Sequence, residues 1–186
     1  MRYVARANEA GTQIIGPNTA RVVTPGEAFV GFMPAFDGRI FQPGNIGVVS
    51  RSGSLGTLAC LELTRAGLGQ SAFLGVGGDP VSGTSSARAL QELVDDPATD
   101  GIVLIGEIGG TKEEDAAEIV ATTNKPVVSF IAGAAAPEGR KMGHAGAIVA
   151  GNTGTHASKR SALTEAGAVV VDVPWSIPAT LAEMLA

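Results

Sequence analysis

Several common features are scarce in this chain of 186 residues, and each absence narrows what it can be. A single cysteine, Cys60, excludes an internal disulfide and suits a reducing compartment. It lies in an apolar stretch, where a core residue is expected. Aromatic residues make up 4% of the chain, too few for a base-stacking surface. The formal net charge of -5 offers no basic excess to nucleic acid or an anionic membrane. No apolar run is long enough to cross a bilayer, and Met1 to Gly11 shows no signal-peptide pattern. The expectation is a cytoplasmic protein with neither nucleic-acid nor membrane partners. His144 and His156 are the only histidines, and with one cysteine they give no zinc spacing, so no metal site is expected. A Gly-Lys-Ser/Thr phosphate loop is missing, as is the Gly-x-Ser-x-Gly elbow of serine hydrolases.

What is abundant is apolar surface and glycine. Hydrophobic residues reach 45% against 17% charged, enough for a packed core. The 26 glycines are about twice the usual share of ~7% and cluster after apolar runs. Apolar segments at Ile46–Val49, Phe73–Val76, Ile102–Ile105, Val127–Ile131 (interrupted by Ser129) and Val169–Val171 predict five strands buried on both faces. Helical patterns separate them. One runs from Ser54 to about Ala66; a second follows a Ser85 or Ser86 cap to about Asp95. A third opens at Thr111, with Glu114 at capping-box spacing. Two more run from about His156 to Ala166 and onward from Ile177. The alternation predicts a flavodoxin-like, doubly wound parallel sheet in three α/β/α layers over residues 45–186. Residues 1–44 read differently: a short basic helix, a strand at Gln13–Ile15, then an extended linker with room only for short strands.

In such a fold, ligands bind beyond the carboxyl ends of the strands. Three segments fall there. Ser50-Arg51-Ser52-Gly53-Ser54 joins a strand to a helix, whose first amides and dipole can hold a phosphate; ordinary serine capping explains it equally simply. Glu107 ends a buried strand, where a carboxylate needs a partner. An imidazole would serve, and so would an ion pair with Arg51 or Arg140. His144 lies between small residues, downstream of Arg140 and Lys141, open to a phosphoryl donor. A plain surface loop is the alternative for His144, and a solvated helix start for His156.

Taken together, Ile15–Thr19, Gly47–Gly53, Gly77-Gly78-Asp79-Pro80, Ile105–Gly110 and Met142–Ile148 resemble the CoA-ligase domain of succinyl-CoA synthetase alpha subunits, in family order. The resemblance implies an acid–CoA ligase that is incomplete alone. It implies phosphohistidine at His144, contacted by Glu107, with phosphate bound at Ser52, Gly53 and Ser54. It also implies a tricarboxylic acid cycle setting and an ATP-grasp beta subunit supplying ATP or GTP and Mg2+. CoA would be held by a separate CoA-binding Rossmann domain, of which residues 1–44 would be a remnant and linker. No cofactor is expected on this chain alone, and the isolated chain could pair with itself as a homodimer. The substrate would be a small carboxylic acid. Two departures touch it: Asn18-Thr19-Ala20-Arg21 replaces the family's Asn-Thr-Pro/Ala-Gly, and Thr57 stands where a tyrosine is common. Asn18, Arg21 and Thr57 are therefore expected at the acid pocket, reshaped for an acid other than succinate. A citrate-activating relative and a non-catalytic assembly domain are the alternatives.

Overall fold

The computed structural model describes residues 2–32, 37–136, 143–149 and 154–186. Its strands are β1 (Arg21–Thr24), β2 (Ala28–Gly31), β3 (Pro43–Ser50), β4 (Gln70–Gly75), β5 (Gly101–Glu107), β6 (Val127–Ala132) and β7 (Val169–Val171). They form one sheet in the order β2-β1-β4-β3-β5-β6-β7. The five strands from β3 onward run parallel. Their arrangement is the flavodoxin-like 2-1-3-4-5 order, counted from β3.

The two faces of the sheet explain why the strands read as apolar runs. Val49, Ile102 and Leu104 pack with Leu90, Leu93, Ala117 and Leu163. That core lies under α3 (Ser86–Asp95), α4 (Lys112–Val120) and α5 (His156–Glu165). Val48, Val103 and Ile105, at the alternate positions, pack with Ala59, Cys60, Leu63, Ile177 and Leu181. Those belong to α2 (Gly53–Arg65) and α6 (Ile177–Leu185) on the opposite face. Leu63 and Ile105 are fully buried, each worth roughly 1.5–3 kcal/mol. α1 (Arg2–Glu9) buries none of its residues. Among the described residues no helix is long and apolar enough to cross a membrane.

Three local features differ from expectation. Gln13–Ile15 forms no strand; it lies along the turn before α3, where Ile14 O accepts from Thr84 Oγ1 and Gly16 O from Gly83 N. The stretch expected as a linker supplies β1 and β2 to the sheet. β1 runs antiparallel to β4, with Val22 opposite Leu74 and Val23 opposite Phe73. Val23 is fully buried, which is what draws so short a strand in. The capping box is also absent: Thr111 makes no side-chain cap bond, and Glu114 turns instead to Ser158 and Lys159 on α5. A buried ammonium is a stronger claim on a carboxylate than a helix amide with solvent at hand. Ser85 does cap α3, accepting from Arg88 N.

Candidate active site

β5 ends in Glu107, whose backbone leaves the sheet beside the ends of β3 and β6. Glu107 Oε2 lies 2.6 Å from His144 Nδ1. The His144 side chain keeps 27% of its exposure, so the ring is held at Nδ1 without being sealed in. Gly78, just past β4, forms the floor. A Cβ at that position would stand 2.2 Å from His144 Nδ1. The loop is tied down by Gly146 N donating to Gly78 O and Ala147 N to His144 O. Arg140, Lys141 and Met142 lie outside the described residues.

The other oxygen of Glu107 faces Arg51, with NH2 at 3.0 Å in charge contact. Among the described residues no donor is aligned on that oxygen as a hydrogen bond, so the attraction to Arg51 there is ionic. Both partners weighed for Glu107 are thus present at once, one on each oxygen. Arg51 is 3% exposed. Its NH1 donates to Glu107 O, Gly109 O and the Glu113 carboxylate. A carboxylate paired in this way can only accept, so a neutral His144 ring carries its proton on Nδ1 and its lone pair on Nε2.

Ser52 is the N-cap of α2, its hydroxyl accepting from Leu55 N and lying 3.3 Å from Ser54 Oγ. Capping is therefore what the Ser52 hydroxyl does here. Gly53 and Ser54 still supply first-turn amides without a carbonyl one turn earlier, at the positive end of the helix. Gly53 serves packing as well: a Cβ there would meet the Ala20 Cβ at 2.7 Å. Asn18 reaches the same edge, donating from Nδ2 to Asp79 Oδ1 at 2.9 Å. Arg21 and Thr57 come together beneath the start of α2. The buried guanidinium donates to Thr57 Oγ1, which in turn donates to Gly53 O. Phe41 and Phe73 lie 6.0 and 5.7 Å from it by ring centre. Burial lowers the Arg21 pKa from its ordinary value.

Lys112 sits beside this cluster, its ammonium donating to Asp79 O and Ser82 Oγ. Burial, then the nearby Arg51 charge, depress its pKa. Glu113 and Lys159 belong to the same neighbourhood and had not been singled out from sequence. The signal was available: each falls at helical spacing on its helix's buried stripe, Glu113 with Ala116, Ala117 and Val120, Lys159 with Leu163. His156 opens α5 and takes no part.

Comparisons with known proteins show the family. Residues 49–169 match the CoA-ligase family. The succinate–CoA ligase [ADP-forming] subunit alpha of Methanothermobacter thermautotrophicus is 52% identical over 177 residues, 95% of this chain and 59% of that one. The malate–CoA ligase subunit alpha of Methylorubrum extorquens is 42% identical over 187 aligned positions, covering 100% of this chain and 62% of its own length. Among solved structures, an ATP citrate lyase from Methanosaeta concilii in complex with (3S)-citryl-CoA superposes with a TM-score of 0.89 at 26% identity. That match covers 98% of this chain and 32% of the other. The chain thus spans about three fifths of the length of the curated relatives it matches.

Proposed function

The chain belongs to the CoA-ligase family, and from that premise we propose that it is the phosphohistidine-bearing part of an acid–CoA ligase alpha subunit. His144 relays a phosphoryl group between a nucleotide and an acyl phosphate. The observation that carries this reading is the 2.6 Å contact of His144 Nδ1 with Glu107. It supports the tautomer in which Nε2 is free to act as nucleophile.

The Nε2 lone pair attacks the terminal phosphorus of ATP or GTP held by an ATP-grasp beta subunit. The N–P bond forms, the P–O bond breaks, and the diphosphate leaves with that electron pair. Nδ1 keeps its proton against Glu107, which offsets the positive charge gained by the ring. An oxygen of the acid's carboxylate then attacks the phosphorus, and the N–P electron pair returns to Nε2. The CoA thiolate attacks the carbonyl of the acyl phosphate, and inorganic phosphate departs. While in transit, the phosphoryl group is held by the Gly53 and Ser54 amides beside Ser52, where the helix dipole opposes its charge. CoA belongs to a CoA-binding domain, and nucleotide with its Mg2+ to the beta subunit. Among the described residues no three His, Cys, Asp or Glu side chains converge to hold a metal, and no metal is assigned here.

The test is incubation with the beta subunit and nucleoside triphosphate labelled on its terminal phosphate. The expected label is acid-labile, base-stable and absent from His144→Ala. An unlabelled chain, or label surviving in His144→Ala, overturns the reading. A module used only for assembly predicts no label at all, and it would have no use for the buried charges around His144, which are costly to bury.

A second reading concerns the acid. The Arg21–Thr57 hydrogen bond lies where the family resemblance implies a tyrosine. It supports a substrate other than succinate, and the malate–CoA ligase relative shows that such acids occur among close kin. Strict succinate preference of the complete enzyme, unchanged by Thr57→Tyr, would sink this reading.

A further inference from the structure

α4 and α5 each place one charge on an otherwise apolar buried stripe. Glu113 and Lys159 are both 0% exposed. Withdrawing an ion from water costs several kcal/mol, and well-packed apolar replacements of buried pairs are often neutral or stabilising. Stability of the fold therefore gives no reason for these two side chains, and their connections do. Lys159 Nζ donates to Glu113 Oε2, and to Glu114 Oε2 at 2.9 Å. Glu113 Oε1 accepts from Arg51 NH1 at 3.0 Å and from the Glu107 backbone N–H at 3.2 Å. Arg51 faces Glu107, and Glu107 holds the ring. Charges alternate in sign from Lys159 through Glu113 and Arg51 to Glu107, which holds the His144 ring. The strand accommodates the row: a Cβ at Gly106 would meet Glu113 Cγ at 2.6 Å.

We propose that Glu113 and Lys159 are positioning residues for His144, setting through Arg51 how firmly Glu107 holds the Nδ1 proton. The proposal rests on the reading of His144 as phosphoryl acceptor. Arg51 is shared between two carboxylates. When Glu113 loses charge, Arg51 bears more fully on Glu107, whose oxygen then accepts from Nδ1 less strongly. When Lys159 is lost, Glu113 draws Arg51 toward itself and Glu107 holds the ring harder. Two substitutions in one buried pair thus have opposite effects on His144. Loosened packing would not produce that pattern.

The test uses nitrogen-15 NMR of the imidazole rings in the full chain, with His156→Gln assigning the two histidines. His144 is expected to be mainly the Nδ1–H tautomer. Glu113→Gln should at least double the minor Nε2–H population and slow His144 phosphorylation roughly tenfold. Beta subunit with nucleotide serves as donor, or phosphoramidate, which transfers its phosphoryl group and releases ammonia. Lys159→Met should move the tautomer population the other way. If that variant does not fold, Lys159→Met/Glu113→Gln is compared with Glu113→Gln alone and must match it, because Lys159 acts through the Glu113 charge; a difference between the two overturns the proposal. Tautomers unmoved in both variants, or moved in the same direction, overturn the proposal. An unsubstituted chain that accepts no phosphoryl group overturns the acceptor reading instead, whatever the tautomers do.

Discussion

Glu107 holds His144 by one carboxylate oxygen and faces Arg51 with the other, so the ring and the guanidinium share a single buried anion. Replacing that anion with an amide alters both contacts. Glu107→Gln keeps the shape, but its amide can turn an N–H toward Nδ1, which then becomes the acceptor and moves the ring proton to Nε2. Phosphorylation of His144 by the beta subunit and labelled nucleotide should fall by about 10²–10⁴-fold. A rate within twofold of the unsubstituted chain contradicts the assigned tautomer.

Gly78 offers a substitution that disturbs the ring without touching any charge. Gly78→Ala places a methyl where the imidazole now lies. The position is in a turn beyond β4, so thermal unfolding should shift little. The His144 ring resonances should lose the signature of the Glu107 contact, and phosphoryl transfer should collapse with it.

Removing Glu113 altogether tests stability rather than chemistry. Glu113→Ala leaves the Lys159 ammonium with Glu114 alone and deprives Arg51 of an anion. Breaking a buried pair in this way costs about 3–5 kcal/mol, to be read from the urea midpoint. A loss under about 1 kcal/mol, the scale of a surface pair, would show that water reaches the cluster.

The loop after α3 carries a pH-dependent contribution. Asp96 accepts from Thr99 Oγ1 and Ala98 N, with the Thr99 bond chiefly responsible for lowering its pKa below 3.8. A carboxylate whose folded-state pKa is depressed stabilises the fold above its unfolded value and loses that contribution as pH falls through the folded value. Comparison with Asp96→Asn should show an advantage for aspartate at pH 7, below about 1 kcal/mol because the group meets solvent. The gap should close on acidification from about pH 4 downward. A gap that persists at low pH excludes ionisation as its source.

Thr57→Val removes one acceptor of the buried Arg21 guanidinium while keeping the side-chain volume. Hydrogen bonds to charged groups contribute about 1.5–3 kcal/mol, and unfolding of the variant should register a loss of that order. An unchanged midpoint would mean that the other contacts of Arg21 suffice.

Much of the parallel core is legible from sequence because each of β3–β7 carries a largely apolar run, and both faces of the sheet are covered. β1 and β2 are harder to see. Four residues each, on either side of Pro25 and Gly26, they take their place from the buried contact of Val23 with its neighbours. Ser52, Gly53, Glu107 and His144 are legible as residue types at strand ends, and topology alone brings those ends to one edge. What the sequence conceals is the partnership of Glu113 and Lys159. They lie 46 positions apart, and neither helical stripe shows which charge on another helix will meet it.

The reversed direction of β1 has a consequence for how the ligand edge is furnished. In a wholly parallel sheet, every loop at that edge leaves a strand on its way to a helix. β1 instead starts there, since Val22 and Val23 pair with the last residues of β4 in antiparallel register. The residues before it, Asn18 to Ala20, arrive at the edge from outside the sheet and lie against Asp79 and Gly53. This segment belongs to no crossover between parallel strands, so its sequence can change without re-registering the sheet. That freedom fits the proposed place of this segment at the acid pocket.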